Sequence, residues 1–267
     1  MRNPSGQLVP VSHGTQPSGP QTQKDRPPAT NQSSAAGTGC TYRTTNQYFC
    51  HAGAYQSLTS GGGYMSTPVQ SPWVETGDSH SLAELAVESA DARQIIEIGW
   101  TVDPTQPTHD QVPRLFIYHW VNGVGTCYNG CGFVPSGSTG ITPGMALTAS
   151  STPVQFAIQY YQGNWWYGYQ GNWFGYLPEA SIWGGTFTSA GLVQIFGEVA
   201  STTARPCTNM GNGTLGTNAA AAAVTGVGYY NTTSAVNLAR GTVDDPTLYD
   251  SQVTSTSSFR YGGPGAC

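Results

Sequence analysis

Short apolar runs of strand length, separated by glycine, proline and asparagine, recur through most of this sequence. The clearest run alternates, with Val154, Phe156, Ile158 and Tyr160 on one face, which is the pattern of a half-buried β-strand. No segment keeps the 3.6-residue periodicity of an amphipathic helix, and residues 219–223 form the one helix-prone run. Many short strands with frequent turn signals predict an all-β fold, an antiparallel β-sandwich or jelly roll of two stacked sheets.

The segment 79–88 can be interpreted in two ways. Its alanine and leucine content favours a short helix, whereas Leu82, Glu84 and Ala86 lie on one face of a strand, and we favour the strand. The other predicted strands are residues 95–102, 114–120, 132–134, 154–161, 164–167, 173–176, 192–199 and 224–230.

The charge content limits the partners that the chain can bind. Charged residues make up 9% of the sequence, the net charge is -5, and Lys24 is the single lysine. We therefore expect no binding of nucleic acid through a basic face. A chain with few ionisable groups also fits tolerance of acid, because it has few native ion pairs to lose. It contains no apolar run of about 18 residues, so no membrane span is expected.

Cysteine usage predicts disulfides. The chain has an even number of cysteines and no C-x-x-C pair, which favours disulfides over zinc. Cys127 and Cys131 are spaced for a small local loop. Cys40 with Cys50, and Cys207 with Cys267, are the expected remaining pairs, although six cysteines allow fifteen connectivities. An oxidising compartment, and hence a secreted protein, follows from this prediction.

Two regions differ in composition. Residues 1–39 are rich in proline, serine, threonine and glutamine and contain hardly any apolar residues, so we expect a flexible tail. Residues 40–267 carry the aromatic residues and the strand-like runs, and we expect them to form one domain. We expect this protein to be a monomer.

Known signatures exclude several classes of enzyme. The chain has no G-x-S-x-G elbow, no H-E-x-x-H zinc helix, no P-loop and no dinucleotide-binding glycine fingerprint. Its five histidines show no metal-ligand spacing, and we interpret each as a surface or packed residue. We therefore expect neither a metal nor another cofactor, which leaves carboxylates as candidate catalytic groups.

Two glutamates lie inside apolar strand-like runs, Glu97 in residues 94–102 and Glu198 in residues 192–199. A carboxylate buried without a purpose costs stability, so these two are candidate catalytic residues of a hydrolase. The alternative is that each side chain points to the solvent side of its strand. The other glutamates are in polar or turn contexts and are expected to be solvated: Glu75, Glu84, Glu88 and Glu179.

An aromatic segment precedes Glu198. Residues 163–199 contain four of the seven tryptophans, separated by glycines and amides. Large flat side chains on a backbone that turns tightly are suited to a binding cleft. Our candidates for the cleft wall are Trp100, Trp166, Tyr176 and Trp183. The alternative for each of these residues is packing in the core.

A set of short motifs occurs in the order seen in one known family. They are IIEIGWTVDP at 95–104, RLFIYHW at 114–120, CYNGCGFV at 127–134, GNWWYGY at 163–169, FGYLP at 174–178 and IFGEV at 195–199, followed by NMGNG at 209–213. Over roughly residues 50–235 the chain resembles the neprosin family. It departs from the family in reading GYLP where members usually read GYWP, and FGEV where they read GGEV.

The resemblance implies a β-sandwich with a catalytic cleft on its concave sheet. Members of the family are glutamic peptidases that cleave after proline at acidic pH, and their two catalytic glutamates match Glu97 and Glu198. The resemblance therefore implies peptide or protein substrates that contain proline. We expect the two glutamates to share one water, with one carboxylate as general base and the other carboxyl as general acid.

Two other functions use the same features. A retaining glycosidase on a jelly roll would also use two glutamates, about 5 Å apart, beside tryptophans that stack on sugars. A secreted lectin would use the tryptophans alone, and the glutamates would be incidental. Glycosidase pairs often lie on one strand, whereas Glu97 and Glu198 are 101 residues apart.

Overall fold

The structure, a computed structural model, describes residues 37–42, 47–137 and 139–267. Within these ranges the chain forms two antiparallel sheets of eight strands each and one short helix. One sheet is curled into a half-barrel, and the prediction of an all-β sandwich is confirmed. No helix in the described ranges has the length and hydropathy needed to cross a membrane.

The elements follow one another in this order: β1 Thr41–Tyr42, β2 Tyr48–Ser60, β3 Gly62–Pro68, β4 His80–Glu88, β5 Ile95–Val102, β6 Arg114–Val121, β7 Val124–Gly125, β8 Val134–Pro135, β9 Pro153–Tyr161, β10 Asn164–Tyr169, β11 Asn172–Pro178, α1 Glu179–Ile182, β12 Ala190–Ser201, β13 Ala222–Tyr229, β14 Ala239–Val243, β15 Asp250–Ser255 and β16 Ser258–Gly262. The first sheet has the order β1-β2-β12-β4-β5-β6-β7, with β14 also paired to β2. The second has the order β15-β16-β13-β3-β9-β10-β11-β8.

Alternation along β5 separates the core from the opposite face of the first sheet. Ile96, Ile98 and Trp100 are fully buried members of the main hydrophobic core. Because successive side chains of a strand point to opposite faces, Glu97 and Gly99 lie on the other face. A Cβ atom on Gly99 would overlap the carbonyl oxygen of Ala83 on β4. Glycine therefore lets the two strands approach closely beside Glu97.

The disulfide pairs are those expected from the sequence. Cys40 bonds to Cys50, Cys127 to Cys131, and Cys207 to Cys267. The second bond closes a loop of the chain immediately after the first sheet's β7. That loop carries an aromatic residue of the candidate site described below.

Most of the tail predicted at residues 1–39 lies outside the described residues. Gly37 and Gly39, near its end, donate their backbone N–H groups to the carboxylate of Asp245, at 3.2 and 2.9 Å. Arg205 also contacts that carboxylate, at 2.8 Å. The chain is therefore attached to the domain immediately before Cys40.

Some expectations about local structure were wrong. The helix-prone run 219–223 forms no helix, because its last two residues, Ala222 and Ala223, begin β13, which pairs with β16 and β3. Three of the four glutamates expected to be solvated are buried instead: Glu84, Glu88 and Glu179. Strands β2 and β14 to β16 were not predicted, and β2 supplies a residue of the site.

Candidate active site

The face of the first sheet opposite the main core carries a row of acids among aromatic rings. We call it the acidic face, and its defining residues are His51, Glu84, Glu88, Glu97, Tyr118, Trp120, Phe196 and Glu198. Each of them is buried. Burial favours the neutral form of a carboxyl group unless it is paired or hydrogen-bonded, so the contacts of each acid decide its state.

Glu198 is held by two histidines. Its Oε2 lies 3.0 Å from His51 Nε2 and its Oε1 lies 2.8 Å from His80 Nε2. All three side chains have an exposed fraction of 1% or less. His51 stands directly opposite Glu198 on β2, and His80 comes from β4 on the other side of β12. Two neighbouring strands therefore fix the carboxylate from both sides.

His51 makes a second contact with an acid. Its Nδ1 lies 2.9 Å from Asp244 Oδ2, and its backbone N–H donates to the same oxygen over 2.7 Å. Desolvation lowers the pKa of His51, but hydrogen bonds to Asp244 and Glu198 and their charges outweigh it and raise the pKa to about 10. Although burial opposes it, contact with His51 lowers the pKa of Asp244. The pair is an imidazolium beside a carboxylate.

Glu97 lies in a different environment. Its Oε1 accepts a hydrogen bond from Trp120 Nε1 over 2.9 Å. Tyr118 stands opposite Glu97 on β6, and its ring packs edge-on against that of Trp120 at 5.6 Å. The indole of Trp120 is a neutral donor, whereas His51 beside Glu198 is a cation, so these two contacts differ in charge.

Glu97 and Glu198 both lie on the acidic face, but on strands β5 and β12, which are separated by β4. Glu198 on β12 is level with Leu82 of β4, and Glu97 on β5 is level with Ala86 of β4. The two glutamates therefore lie on the same face, on the two strands that flank β4, and are offset by four residues along it. Glu84 lies on β4 midway between Leu82 and Ala86.

A tyrosine from the disulfide loop packs on the acidic face. Tyr128 contacts the rings of Phe116 and Tyr118 edge-on, with centroids 5.7 and 5.0 Å apart. Burial raises its pKa well above the ordinary value of 10, and the nearby charges of Asp103, Glu198 and Glu84 raise it further. Its buried hydroxyl finds no hydrogen-bond partner among the described residues. Tyr128 is therefore a protonated donor close to Glu198.

The four aromatic residues predicted to line the cleft are not among the residues that define the acidic face. Trp100 points from β5 into the main core. Trp166 and Tyr176 are paired on β10 and β11 of the second sheet, with ring centroids 4.7 Å apart. Trp183 follows α1, belongs to the main core and donates its Nε1–H to the backbone oxygen of Trp120. That these four residues line a substrate cleft stays a prediction.

The aromatic residues beside the acids were missed, although the sequence contained a signal for some of them. Phe116, Tyr118 and Trp120 alternate along β6, and Leu82, Glu84 and Ala86 along β4. Strand parity therefore places each trio on one face. We had interpreted His51 and His80 as surface or packed residues, and nothing in their sequence neighbourhood points to Glu198. Their role depends on the pairing of strands distant in sequence.

No group of three or more histidine, cysteine, aspartate or glutamate residues in the described ranges has an arrangement that could hold a metal ion.

The neprosin family model matches residues 77–264, which include every acid of the acidic face. No curated protein matches the sequence closely enough to count as a relative. Scytalido-glutamic peptidase with a transition state analog inhibitor is similar in structure, with a TM-score of 0.45 and 12% identity over 80% of this chain and 98% of that chain.

Two further solved structures are similar to this chain. SCP-B, a member of the eqolisin family of peptidases in complex with the tripeptide Ala-Ile-His, has a TM-score of 0.43 and 11% identity, covering 80% of this chain and 98% of that chain. The β-glucanase of Bacillus licheniformis has a TM-score of 0.28 and 12% identity, covering 73% of this chain and 96% of that chain.

The family match and the buried glutamates define the class of this protein as a peptidase of the glutamic type. Because the matched residues make up more than half of the sequence, the chain belongs to the neprosin family. The resemblance stated from its motifs is confirmed.

Proposed function

We propose that this protein is a secreted glutamic endopeptidase that cleaves peptide bonds after proline at acidic pH, with Glu97 and Glu198 as its general acid and base. The observation that carries the proposal is that both glutamates are fully buried on one face of the first sheet, inside the part of the chain that matches the neprosin family. Buried acids with different environments are the usual arrangement for acid–base chemistry.

The reaction needs a carboxylate that removes a proton from water and a carboxyl group that donates one to the leaving nitrogen. Glu198 and Glu97 occupy environments that separate these roles. Glu84 lies between them on β4, so we include it in the site as a group that shares protons with the pair. Both carboxyl groups are buried, so a bound peptide has to displace the groups that cover them.

The aromatic cluster beside the acids supports a preference for proline. Phe116, Tyr118, Trp120, Tyr128 and Phe196 belong to one buried cluster on the acidic face. A pyrrolidine ring is compact and lacks an N–H group, so it packs against such rings without leaving a buried donor unsatisfied. We propose that this cluster, in place of the four aromatic residues predicted from the sequence, receives the proline.

Three observations bear on compartment and partners. All six cysteines are paired in disulfides, which supports an oxidising compartment and secretion. The net charge of -5 and the single lysine argue against nucleic-acid partners. We propose a monomer acting on peptide or protein substrates that contain proline.

The test is a library experiment with three variants. The protein is incubated at acidic pH with an unbiased peptide library, and cleavage sites are read by mass spectrometry. Glu97→Gln and Glu198→Gln should each remove nearly all cleavage. Glu179→Gln is the matched control, because Glu179 is also buried but lies in α1 and accepts the Phe187 backbone N–H of the loop that follows. Cleavage that survives in either site variant would remove that glutamate from the mechanism.

The same experiment tests specificity. Cut sites should be enriched in proline on their N-terminal side. Peptidase activity without that enrichment would refute the preference for proline but not the peptidase function. A library left uncut by the wild-type protein would instead favour the alternative function, a lectin.

A further inference from the structure

The hydrogen bonds at Glu198 favour one protonation state of its carboxyl group. His80 Nδ1 has no hydrogen-bond partner among the described residues, which places the ring proton of His80 on Nε2, facing Glu198. His51 approaches the other carboxyl oxygen with its own Nε2. A carboxyl group that accepts hydrogen bonds at both oxygens is stabilised as a carboxylate.

His51 is the stronger of the two neighbours because it faces acids on both sides. A neutral imidazole donates from one nitrogen only, whereas an imidazolium donates from both. With Asp244 at Nδ1 and Glu198 at Nε2, the ring is in the geometry of a double donor. Thr41 Oγ1 donates to the other oxygen of Asp244 over 2.6 Å and fixes this second carboxylate in turn.

We propose that Glu198 is the general base of this peptidase, and that His51 and His80 are positioning residues that keep it a carboxylate in acid. The proposal rests on the proposed function, because it assigns roles within the same pair of glutamates. Glu97, which lies among aromatic rings with an indole N–H as its donor, is then the general acid.

The assignment gives a balanced reaction. One O–H bond of the water breaks and its proton passes to Glu198, while the water oxygen bonds to the scissile carbonyl carbon. Protonated Glu97 then gives its proton to the leaving nitrogen as the C–N bond breaks. The products are a carboxylic acid and an amine. The proton on Glu198 returns to Glu97 through solvent or the new carboxyl group, which restores the starting state.

Other charges near Glu198 oppose the histidines, and distance decides between them. One of these charges is Glu84 on β4. Glu84 and Glu198 both raise the pKa of Tyr128 in the disulfide loop. Glu84 is a diagonal neighbour of Glu198, and such pairs have Cα atoms roughly 7–8 Å apart. Both histidines contact Glu198 at 3.0 Å or less. Because interaction energy falls with separation and rises with direct hydrogen bonding, the two histidines outweigh Glu84 in their effect on Glu198.

The proposal is tested first without any measurement of activity. The protein is labelled with ¹³C at glutamate carboxyl carbons, the Glu198 signal is assigned by its loss in Glu198→Gln, and the signals are followed by NMR as pH falls. The Glu198 signal should stay at the carboxylate position below the pH at which an ordinary glutamate titrates, about 4.3. In His51→Gln its titration point should rise by about one pH unit, which is a tenfold gain in proton affinity.

Kinetics provide the second test. In His51→Gln and His80→Gln the acidic limb of the kcat/KM profile should move to higher pH, with KM unchanged. His109→Gln is the matched control, because His109 is exposed and contacts a backbone oxygen of its own loop. A merely structural role would lower the melting temperature and leave the position of the limb where it is in the wild type.

Two results overturn the proposal. One is a Glu198 signal that titrates at or above the ordinary value in the wild type. The other is a wild-type profile retained in His51→Gln while Glu198→Gln is inactive, which would leave the proposed peptidase function standing without this role for the histidines. An uncut peptide library would instead count against the proposed function, and the NMR titration would still decide the state of Glu198.

Discussion

The indole N–H of Trp120 donates to Glu97 Oε1 over 2.9 Å, so a side chain of β6 fixes the carboxyl group of its neighbour β5. The backbone oxygen of Trp120 accepts the Nε1–H of Trp183 from beyond α1 over 2.8 Å. A short chain of hydrogen bonds thus leads from the core tryptophan Trp183 to the proposed acid. The orientation of Glu97 depends on both of them.

Replacing Trp120 with phenylalanine should reduce kcat. The variant keeps an aromatic ring but removes the donor, and a hydrogen bond to a neutral carboxyl group contributes about 0.5–1.5 kcal/mol, so kcat should fall by roughly 2- to 13-fold. Trp166→Phe is the control, because it also loses one indole hydrogen bond, to the Tyr161 backbone oxygen on the second sheet. Equal losses in the two variants would argue against a specific role for Trp120.

Glu84→Gln tests whether the glutamate between the pair takes part. If Glu84 shares protons with Glu97 and Glu198, the variant should shift the pH optimum of kcat/KM as well as lower its maximum. Combined with Glu198→Gln it should add little further loss, because groups that act as a unit are not additive. A pH optimum identical to that of the wild type would show that Glu84 takes no part in proton transfer.

Tyr128→Phe should weaken turnover and leave the fold intact. The hydroxyl has no described partner to lose, so unfolding by urea should change by less than about 1 kcal/mol. If the phenol donates to the substrate carbonyl, kcat should fall by about tenfold or more. Changing Cys127 and Cys131 together to serine should lower kcat in the same direction, because the loop that holds Tyr128 is released. Unchanged kcat in both variants would refute the assignment.

Two histidines give stability opposite dependences on pH. Burial lowers the pKa of His119 from 6.5 to about 4. Its contribution is complete above pH 6.5 and is lost as pH falls through 4, by about 3 kcal/mol in all. His51, with its pKa raised to about 10, contributes fully below 6.5 and loses that contribution as pH rises through 10.

Urea unfolding at several pH values separates these two effects. In His119→Gln the fall in unfolding free energy between pH 6.5 and 4 should shrink, and in His51→Gln the fall between pH 6.5 and 10 should shrink. Slopes that match the wild type in both variants would assign the pH dependence to other groups.

The sequence allowed the prediction of the fold class, of the strands that carry Glu97 and Glu198, and of the disulfide pairs. Each depends on local alternation or short spacing. The side of the sheet to which each aromatic residue points could not be predicted from local alternation. In residues 164–169 nearly every position is aromatic or glycine, so no alternation distinguishes the core side of β10 from its other side.

The neighbours of Glu198 could not be predicted for a different reason. His51 pairs with Glu198 across β2 and β12, and Asp244 reaches His51 from the end of β14. Register between strands so far apart in sequence is decided by packing of the whole sheet, which no local pattern contains.

The contact between His51 and Asp244 joins positions 193 residues apart. During synthesis on the ribosome, His51 therefore cannot contact Asp244 until almost all of this sequence has been translated. A nascent chain has the glutamates long before it has the completed charge network around them. If His51 positions Glu198 as proposed, the arrangement that supports catalysis cannot form before Asp244 has been synthesised.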